Sequence, residues 1–174
     1  MELPPPQDAS RPYSLAVVCL GNICRSPTAQ VVLERRLAEA GLADAVRVTS
    51  AGTGDWHVGE PMDRRAAGAL RGAGYDPSRH RAQQVDPSWF ERYDALLVMD
   101  ASNRADVRAL APSDEDRERV AMFRAWDPKG GPDADVPDPW YGDADGFADV
   151  LEMVERTAAE LVEAVRERVR GGES

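Results

Sequence analysis

Cysteine is scarce in this sequence, and its placement excludes one class of protein. Among 174 residues there are only two cysteines, Cys19 and Cys24, and both lie in one short segment. Two thiols so close together do not form the disulfide framework of a small secreted domain, and such sparse usage is typical of a reducing compartment. We therefore expect a cytoplasmic protein.

The chain also lacks a long apolar run. Residues 1–13 are rich in proline, and they contain neither the positively charged start nor the continuous apolar centre of a signal peptide. We expect residues 1–13 to form a flexible N-terminal extension and residues 171–174 to form a flexible tail. We also expect no direct binding to membranes.

Positive charge is the minority sign in this chain. The sequence has 21 Lys and Arg residues against 31 Asp and Glu residues, which gives a formal net charge of -10 at pH 7. Electrostatic attraction to nucleic acid needs an excess of the opposite sign. We expect no nucleic-acid partner, and we expect the protein to be a monomer.

The apolar residues follow two alternating spacings. Strand-like runs cover residues 14–19, 46–51, 95–99 and 119–122. Helical spacing covers residues 28–40, 62–73 and 102–110, and a longer apolar stripe runs from Phe147 to Val169. Strands that alternate with helices predict one α/β domain, residues 14–170, with a parallel sheet and helices on both faces. Ligands of such sheets bind beyond the carboxyl ends of the strands, and Cys19 ends the first strand.

The first strand and the first helix are joined by the segment Cys-Leu-Gly-Asn-Ile-Cys-Arg-Ser-Pro, residues 19–27. A loop between a strand and a helix N-terminus directs backbone N–H groups at one point, where the helix dipole adds positive charge. Such a loop binds an anion of phosphate size. Cys19 offers a thiolate nucleophile, and Arg25 offers a planar fork that matches two phosphate oxygens.

This loop has two interpretations. A cysteine and a nearby arginine usually have no joint role, because cysteine is often buried as a small apolar residue. Gly21 and Asn22, however, tolerate the positive φ that a loop around an anion requires, and Ser26 can cap the helix or donate a hydrogen bond to the thiolate. The strand, the loop and the helix together favour the catalytic interpretation.

A proton donor for a leaving oxygen is offered by Asp138, which lies between two prolines and is followed by Trp140 and Tyr141. The prolines stiffen the loop, and the aromatic rings can form walls for a flat substrate ring. Asp-Pro pairs are also ordinary turn formers, and composition alone favours that alternative.

Together the two motifs resemble the low-molecular-weight protein tyrosine phosphatase family, in its bacterial type. The resemblance covers residues 14–170 and depends on residues 18–27 and on the Asp-Pro-aromatic-Tyr-Gly motif at residues 138–142. It implies a four-stranded parallel sheet flanked by helices, of Rossmann-like or flavodoxin-like type, with no metal ion and no organic cofactor. It also implies that the substrates are phosphotyrosine-containing proteins, and it leaves a tyrosine kinase open as a partner.

The same resemblance implies roles for single residues. Cys19 is expected to be the nucleophile, Arg25 to bind phosphate oxygens, and Asp138 to act first as general acid and then as general base. Asn22 is expected to clamp the loop, and its hydrogen-bond partners in the family match Ser26, Ser50 and His80. Residues expected to bind the substrate are Leu20, Gly21, Asn22, Ile23, Cys24, Ser26, Trp56, Trp140 and Tyr141.

Some of these assignments have ordinary alternatives. His80 suits a surface or capping role, and Trp56 suits a half-buried packing role. Asp100 lies at the end of a strand, where a carboxylate is equally often a helix cap, so we leave it out of the predicted site.

Three other functions share parts of this pattern. An arsenate reductase of this fold needs further cysteines outside the loop, and the chain has none. A protein-arginine phosphatase has Thr at the family position of Ile23, so the apolar side chain favours phosphotyrosine. A module that binds phosphoryl groups without turnover would be expected to lose one of Cys19, Arg25 and Asp138.

Cys24 generates a prediction about oxidation. In relatives, this second cysteine traps the oxidised nucleophile as a reversible disulfide, and the resemblance implies the same here. After mild peroxide treatment, mass spectrometry is expected to show a Cys19–Cys24 disulfide that a thiol reductant removes. Sulfinic acid at Cys19 without that link would contradict the hypothesis and leave Cys24 as a packed loop thiol.

Overall fold

A computed structural model describes residues 2–171 of the chain. Its centre is a sheet of four parallel strands in the order β2-β1-β3-β4. The strands are β1 (Tyr13–Cys19), β2 (Val46–Gly52), β3 (Ala95–Val98) and β4 (Val120–Met122). Strand β1 lies between β2 and β3 and is buried along its whole length. The predicted four-stranded parallel sheet is confirmed.

Residues 2–171 contain six α-helices. They are α1 (Arg25–Glu39), α2 (Arg64–Gly72), α3 (Trp89–Arg92), α4 (Ala101–Leu110), α5 (Asp114–Arg117) and α6 (Ala144–Gly171). Of these, α1, α2, α3, α4 and α6 contribute buried residues to the core and α5 contributes none. Leu15 and Val17 point to the face that packs with α1, α2 and α6. Ala16 and Val18 point to the other face, where Trp89 of α3 and Val107 of α4 complete the core. Alternation along β1 therefore divides the core into two layers, as the sequence predicts.

The ends of two helices differ from the predicted ones for local reasons. Helix α1 begins at Arg25 rather than at Thr28, because the Thr28 N–H and hydroxyl both donate to the Cys24 carbonyl and so bring the end of the loop into the first turn. Helix α2 begins at Arg64, since the carboxylate of Asp63 accepts the N–H groups of Arg65 and Ala66 and caps the helix. Short α3 and α5 were not predicted.

The N-terminal segment makes specific contacts with the domain. Leu3 is buried in the core layer that contains α6, and Arg168 of α6 donates a hydrogen bond to the Leu3 carbonyl. The Gln7 N–H donates to Asp94 Oδ1 at 2.9 Å, and the Gln7 side chain donates to the Phe90 carbonyl at 2.7 Å. These contacts place Leu3 and Gln7 against the domain, and they were not predicted because single anchoring residues give no periodic signal in the sequence. The flexibility expected of residues 1–13 stays a prediction. Of the expected flexible tail, residues 172–174 lie outside the described residues.

In the part of the chain that the structure describes, no helix is both long enough and apolar enough to cross a membrane.

A buried carboxylate that pairs with two arginines fixes the segment that leads to Asp138. The side chain of Asp127 is fully buried; its Oδ1 accepts a hydrogen bond from Arg156 Nε at 2.6 Å, and its Oδ2 accepts one from Arg124 Nε at 2.8 Å. The hydrogen bonds from Arg156 are the main reason that the pKa of Asp127 lies well below its usual range. Arg124 also donates to the carbonyl of Asp135. One carboxylate thereby ties the start of residues 127–138 to α6.

The substitution Asp127→Asn is expected to lower the free energy of unfolding by about 3 kcal/mol at neutral pH, because it leaves two largely buried arginines without their shared anion. A carboxylate whose pKa is lower in the folded state contributes stability above its unfolded pKa of about 3.9 and loses that contribution as the pH falls. The difference between wild type and variant in urea unfolding should therefore narrow below about pH 4. Asp133→Asn is the matched control, since Asp133 pairs with Arg104 at the surface, and it should cost less than about 1 kcal/mol. If the difference in unfolding free energy between wild type and Asp127→Asn does not change with pH, the ionised Asp127 carboxylate is not the source of this stability.

Candidate active site

The loop between β1 and α1 lies at the carboxyl edge of the sheet; we call residues 19–26 the anion loop. The segment after β2 supports it, since the Thr53 N–H donates to the Cys19 carbonyl and the Gly54 N–H to the Leu20 carbonyl, each at 2.9 Å. Gly52 is needed for this approach, because a Cβ there would lie 2.7 Å from the Leu20 oxygen. The two adjacent strand ends therefore hold the backbone of the loop.

The surroundings of Cys19 fit a thiolate. The Asn22 N–H donates to Cys19 Sγ at 3.3 Å, and Ser26 Oγ lies 3.0 Å from the same sulfur. Ser26 Oγ already accepts a hydrogen bond from Asn22 Nδ2 at 2.8 Å, so its single proton points to the sulfur or to the Ala51 carbonyl at 3.3 Å. A negatively charged sulfur is the stronger of these two acceptors.

Asn22 hydrogen-bonds to Ser26 within the anion loop and to residues outside it. It is fully buried and has a φ of 57°. Its amide donates to Ser26 and, at 3.0 Å, to Ser50 Oγ, while its Oδ1 accepts the Gln83 N–H at 3.0 Å. His80 Nε2 lies 2.6 Å from the Asn22 carbonyl, which can only accept, so Nε2 holds the proton. Burial lowers the pKa of His80, which favours this neutral form.

Two glutamines extend the clamp and were missed by the sequence analysis as supporting residues. Ser50 Oγ donates to Gln30 Oε1 at 2.6 Å, and Gln83 Nε2 donates to the Ser50 carbonyl at 3.0 Å. No sequence signal identifies Gln30, because a polar residue on the surface side of α1 is ordinary. Ser50 and His80 thus lie behind the anion loop and support it.

Arg25 is a buried cation held by remote groups. Its side chain is 3% exposed. Nη1 donates to Asp100 Oδ2 at 2.7 Å and to the Val136 carbonyl at 3.1 Å, and Nη2 lies 3.6 Å from Asp138 Oδ2. Burial alone would lower the pKa of Arg25, but the neighbouring Cys19 and both carboxylates raise it above its ordinary value. Arg25 is therefore a fixed positive charge at the base of the pocket.

Asp100 belongs to this arrangement although the sequence analysis left it out. Its Oδ1 accepts the Asn103 N–H at 2.8 Å and caps α4, while its Oδ2 accepts from Arg25. The capping role was visible in the sequence. The second role was not, because Arg25 and Asp100 are 75 residues apart.

A cavity of about 210 Å³ opens above the anion loop. Asp138 lies at its wall, and its Oδ1 accepts the Trp140 N–H at 3.0 Å. The side chains of Trp56 and Tyr141 are exposed at the rim, and the rings of Trp140 and His57 lie 5.9 Å apart. The complete lining is Cys19, Leu20, Gly21, Ile23, Cys24, Arg25, Trp56, His57, Asp138, Trp140 and Tyr141. The cavity brings together most of the residues predicted to bind substrate, but Asn22 and Ser26 are not among its lining residues, and His57 also lines it.

Within residues 2–171, no group of three or more His, Cys, Asp or Glu side chains is arranged to hold a metal ion. The chemistry available in the pocket comes from a thiol, a guanidinium and a carboxylate. A cysteine and an arginine on one loop of converging N–H groups, opposite a carboxylate, define a site for phosphoryl transfer through a cysteine nucleophile.

The comparisons with known proteins agree with this class. Residues 14–171 match the family model described as low molecular weight phosphotyrosine protein phosphatase. A low molecular weight protein-tyrosine-phosphatase of Streptomyces coelicolor is 46% identical over 160 residues, which cover 91% of this chain and 97% of the relative. The low molecular weight protein-tyrosine phosphatase A of Mycobacterium tuberculosis is 46% identical over 167 residues, which cover 95% and 99%.

Solved structures show the same relationship. The crystal structure of a protein tyrosine phosphatase from Entamoeba histolytica superposes with a TM-score of 0.84 at 28% identity and covers 89% of this chain and 97% of that one. YfkJ from Bacillus subtilis gives a TM-score of 0.82 at 29% identity, with coverage of 90% and 96%. The chain belongs to the low molecular weight phosphotyrosine protein phosphatase family.

The clamp generates a prediction for Asn22→Ala. This change removes both side-chain donors and leaves an alanine at positive φ, so the anion loop should lose its fixed shape. The affinity for inorganic phosphate, measured by calorimetry, is expected to fall about tenfold or more. Gln84→Ala is the control, because within residues 2–171 the Gln84 side chain donates only to the Thr53 carbonyl, which lies outside the loop. Unchanged phosphate affinity in a folded Asn22→Ala protein would show that the clamp does not shape the site.

Proposed function

We propose that this protein hydrolyses phosphotyrosine in proteins, and small aryl phosphates, through a cysteinyl-phosphate intermediate. The observation that supports this function best is the convergence of Cys19, Arg25 and Asp138 on one aromatic-walled cavity. Cys19 and Arg25 come from the anion loop and Asp138 from a segment more than 100 residues further along the chain, and each side chain has the chemistry that one part of the reaction needs.

In the first step the Cys19 thiolate attacks phosphorus, and a sulfur–phosphorus bond forms as the bond to the phenolic oxygen breaks. Arg25 and the N–H groups of the anion loop hold the non-bridging oxygens as charge builds on them. Asp138, protonated at this stage, gives its proton to the leaving oxygen. The Asn22 N–H and the Ser26 hydroxyl stabilise the thiolate before attack.

In the second step a water molecule replaces the phenol. The Asp138 carboxylate takes a proton from this water as its oxygen attacks phosphorus, the sulfur–phosphorus bond breaks, and inorganic phosphate leaves. Cys19 returns to the thiolate, for which the contacts with Asn22 and Ser26 again provide stabilisation. Asp138 ends the cycle protonated and ready for the next substrate.

The shape of the cavity supports an aromatic substrate over phosphoarginine. Ile23 presents an apolar side chain to the cavity, and Trp56, Trp140 and Tyr141 surround its mouth. These surfaces suit the flat face of a phenol. An arsenate reductase is not favoured, because Cys19 and Cys24 are the two cysteines of the whole sequence.

We infer the cellular setting from the same residues. Both cysteines are free thiols, which suits the reducing cytoplasm. One chain supplies every residue of the proposed mechanism, so we propose that the enzyme acts as a monomer. Its partners are phosphotyrosine-containing proteins, and Tyr141, which is 91% exposed, is accessible to a tyrosine kinase.

The function is tested by assaying p-nitrophenyl phosphate, a phosphotyrosine peptide and a phosphoarginine peptide without added metal. Wild type is expected to hydrolyse both aryl esters. Cys19→Ser should abolish turnover, and Asp138→Asn should lower it by about 100-fold, as expected when a general acid is removed.

Both variants must keep the wild-type circular dichroism spectrum for the comparison to be valid. A preference for the phosphoarginine peptide would replace the proposal with the arginine phosphatase. Absence of turnover by reduced wild-type protein on every substrate would contradict an enzymatic function and favour a phosphate-binding module.

A further inference from the structure

We propose that Arg65 is a positioning residue that fixes the general acid relative to the anion loop. This inference rests on the proposed function, since it assigns Arg65 a part in the proton transfer by Asp138. We call residues 138–142, which include the 3₁₀ turn Pro139–Tyr141, the acid loop.

The Arg65 side chain contacts both the backbone and the side chain of Trp140 in the acid loop. Its Nη1 donates to the Trp140 carbonyl at 3.1 Å, and its guanidinium carbon lies 5.2 Å from the centre of the Trp140 ring. On another side the same guanidinium lies 4.6 Å from the ring centre of Phe147 in α6. A planar cation between two aromatic rings restricts the position of both.

The other end of the connection is the anion loop. The Asp63 N–H donates to the Ile23 carbonyl at 2.9 Å, which fixes the start of α2 against the loop. Asp63 Oδ1 accepts the Arg65 N–H at 2.9 Å and lies 3.4 Å from Arg65 Nε. Asp63 and Arg65 therefore form a continuous bridge from the anion loop to Trp140.

The bridge ends next to the acid itself. The Trp140 N–H donates to Asp138 Oδ1 at 3.0 Å, so the peptide units on both sides of Trp140 are bonded, one to Asp138 and one to Arg65. Among the described residues, Arg65 makes the one hydrogen bond from outside the acid loop to the backbone of the turn. Pro139 is buried whereas Trp140 and Tyr141 are exposed, so Arg65 adds to the packing of Pro139 in fixing the exposed part of this turn.

Proton transfer depends on the placement of Asp138 within a fraction of an ångström, whereas attack by Cys19 depends on the anion loop. Loss of Arg65 should therefore harm the protonation of the leaving oxygen and spare the binding of phosphate. This harm grows as the leaving phenol becomes less acidic, since a poor leaving group needs its proton more. The dependence on leaving group distinguishes positioning of the acid from a general structural role.

The test compares kcat/KM for phenyl phosphate and for p-nitrophenyl phosphate, whose leaving group is the more acidic. Arg65→Ala is expected to lose about tenfold on phenyl phosphate and less than about threefold on p-nitrophenyl phosphate. Arg65→Lys, which keeps the charge but not the planar contact with two rings, should recover part of the loss. In an Asp138→Asn background, Arg65→Ala should cause no further loss on either substrate.

Arg64→Ala is the matched control, because Arg64 is, like Arg65, an exposed residue at the start of α2, and within residues 2–171 its side chain makes no hydrogen bond or ion pair. It should match wild type on both substrates. Equal losses of kcat/KM on the two substrates in Arg65→Ala would overturn the positioning role. So would a loss caused by Arg65→Ala that persists in the Asp138→Asn background. If Arg65→Ala fails to fold, the two substrates are compared with Arg65→Lys instead. A larger loss of kcat/KM on phenyl phosphate than on p-nitrophenyl phosphate supports the positioning role, and equal losses overturn it. Inactive wild type would instead contradict the proposed function itself.

Discussion

The left-handed backbone of Asn22 is the constraint on which the proposed site depends. Asparagine tolerates a φ of 57° better than other non-glycine residues, but this conformation is still less favourable for it than a right-handed one. Hydrogen bonds to Ser26, Ser50, Gln83 and His80 offset this cost. They hold the turn that the backbone makes at Asn22 around the sulfur of the nucleophile. Because these partners come from three separate segments, the loop has its shape only when the sheet around it is complete.

A second feature is the unequal sharing of one cation between two carboxylates. Asp100 contacts Arg25 at 2.7 Å, and Asp138 lies 3.6 Å from the other terminal nitrogen. The shorter pair keeps the guanidinium in place, while the looser one leaves Asp138 free to face a substrate. A buried arginine would be costly without a close anion, and a second close anion would compete with phosphate. The distance to the guanidinium therefore distinguishes Asp100, which holds Arg25 in place, from Asp138, which is proposed to transfer protons.

Features that depend on local pattern are predictable from this sequence, whereas features that depend on contacts between distant residues are not. The order of strands and helices follows from apolar spacing, and the positions of Cys19 and Arg25 follow from a strand–loop–helix motif. Asp100 and Arg65 were not predicted, because their partners lie about 75 residues away and their own neighbours look like ordinary helix starts. The contacts of Leu3 were missed for a related reason, since a single buried leucine in a proline-rich segment has no periodicity.

The two roles of Asp100, helix cap and partner of Arg25, restrict which residues can replace it in evolution. Glutamate keeps the negative charge, but its longer side chain is a poor helix cap; asparagine caps well, but it has no charge for Arg25. Each replacement therefore fails one of two tasks that lie in different parts of the molecule. Selection for a well-formed helix and selection for a well-placed cation act on the same four side-chain atoms, so we expect evolution to hold this position more tightly than either task alone would require.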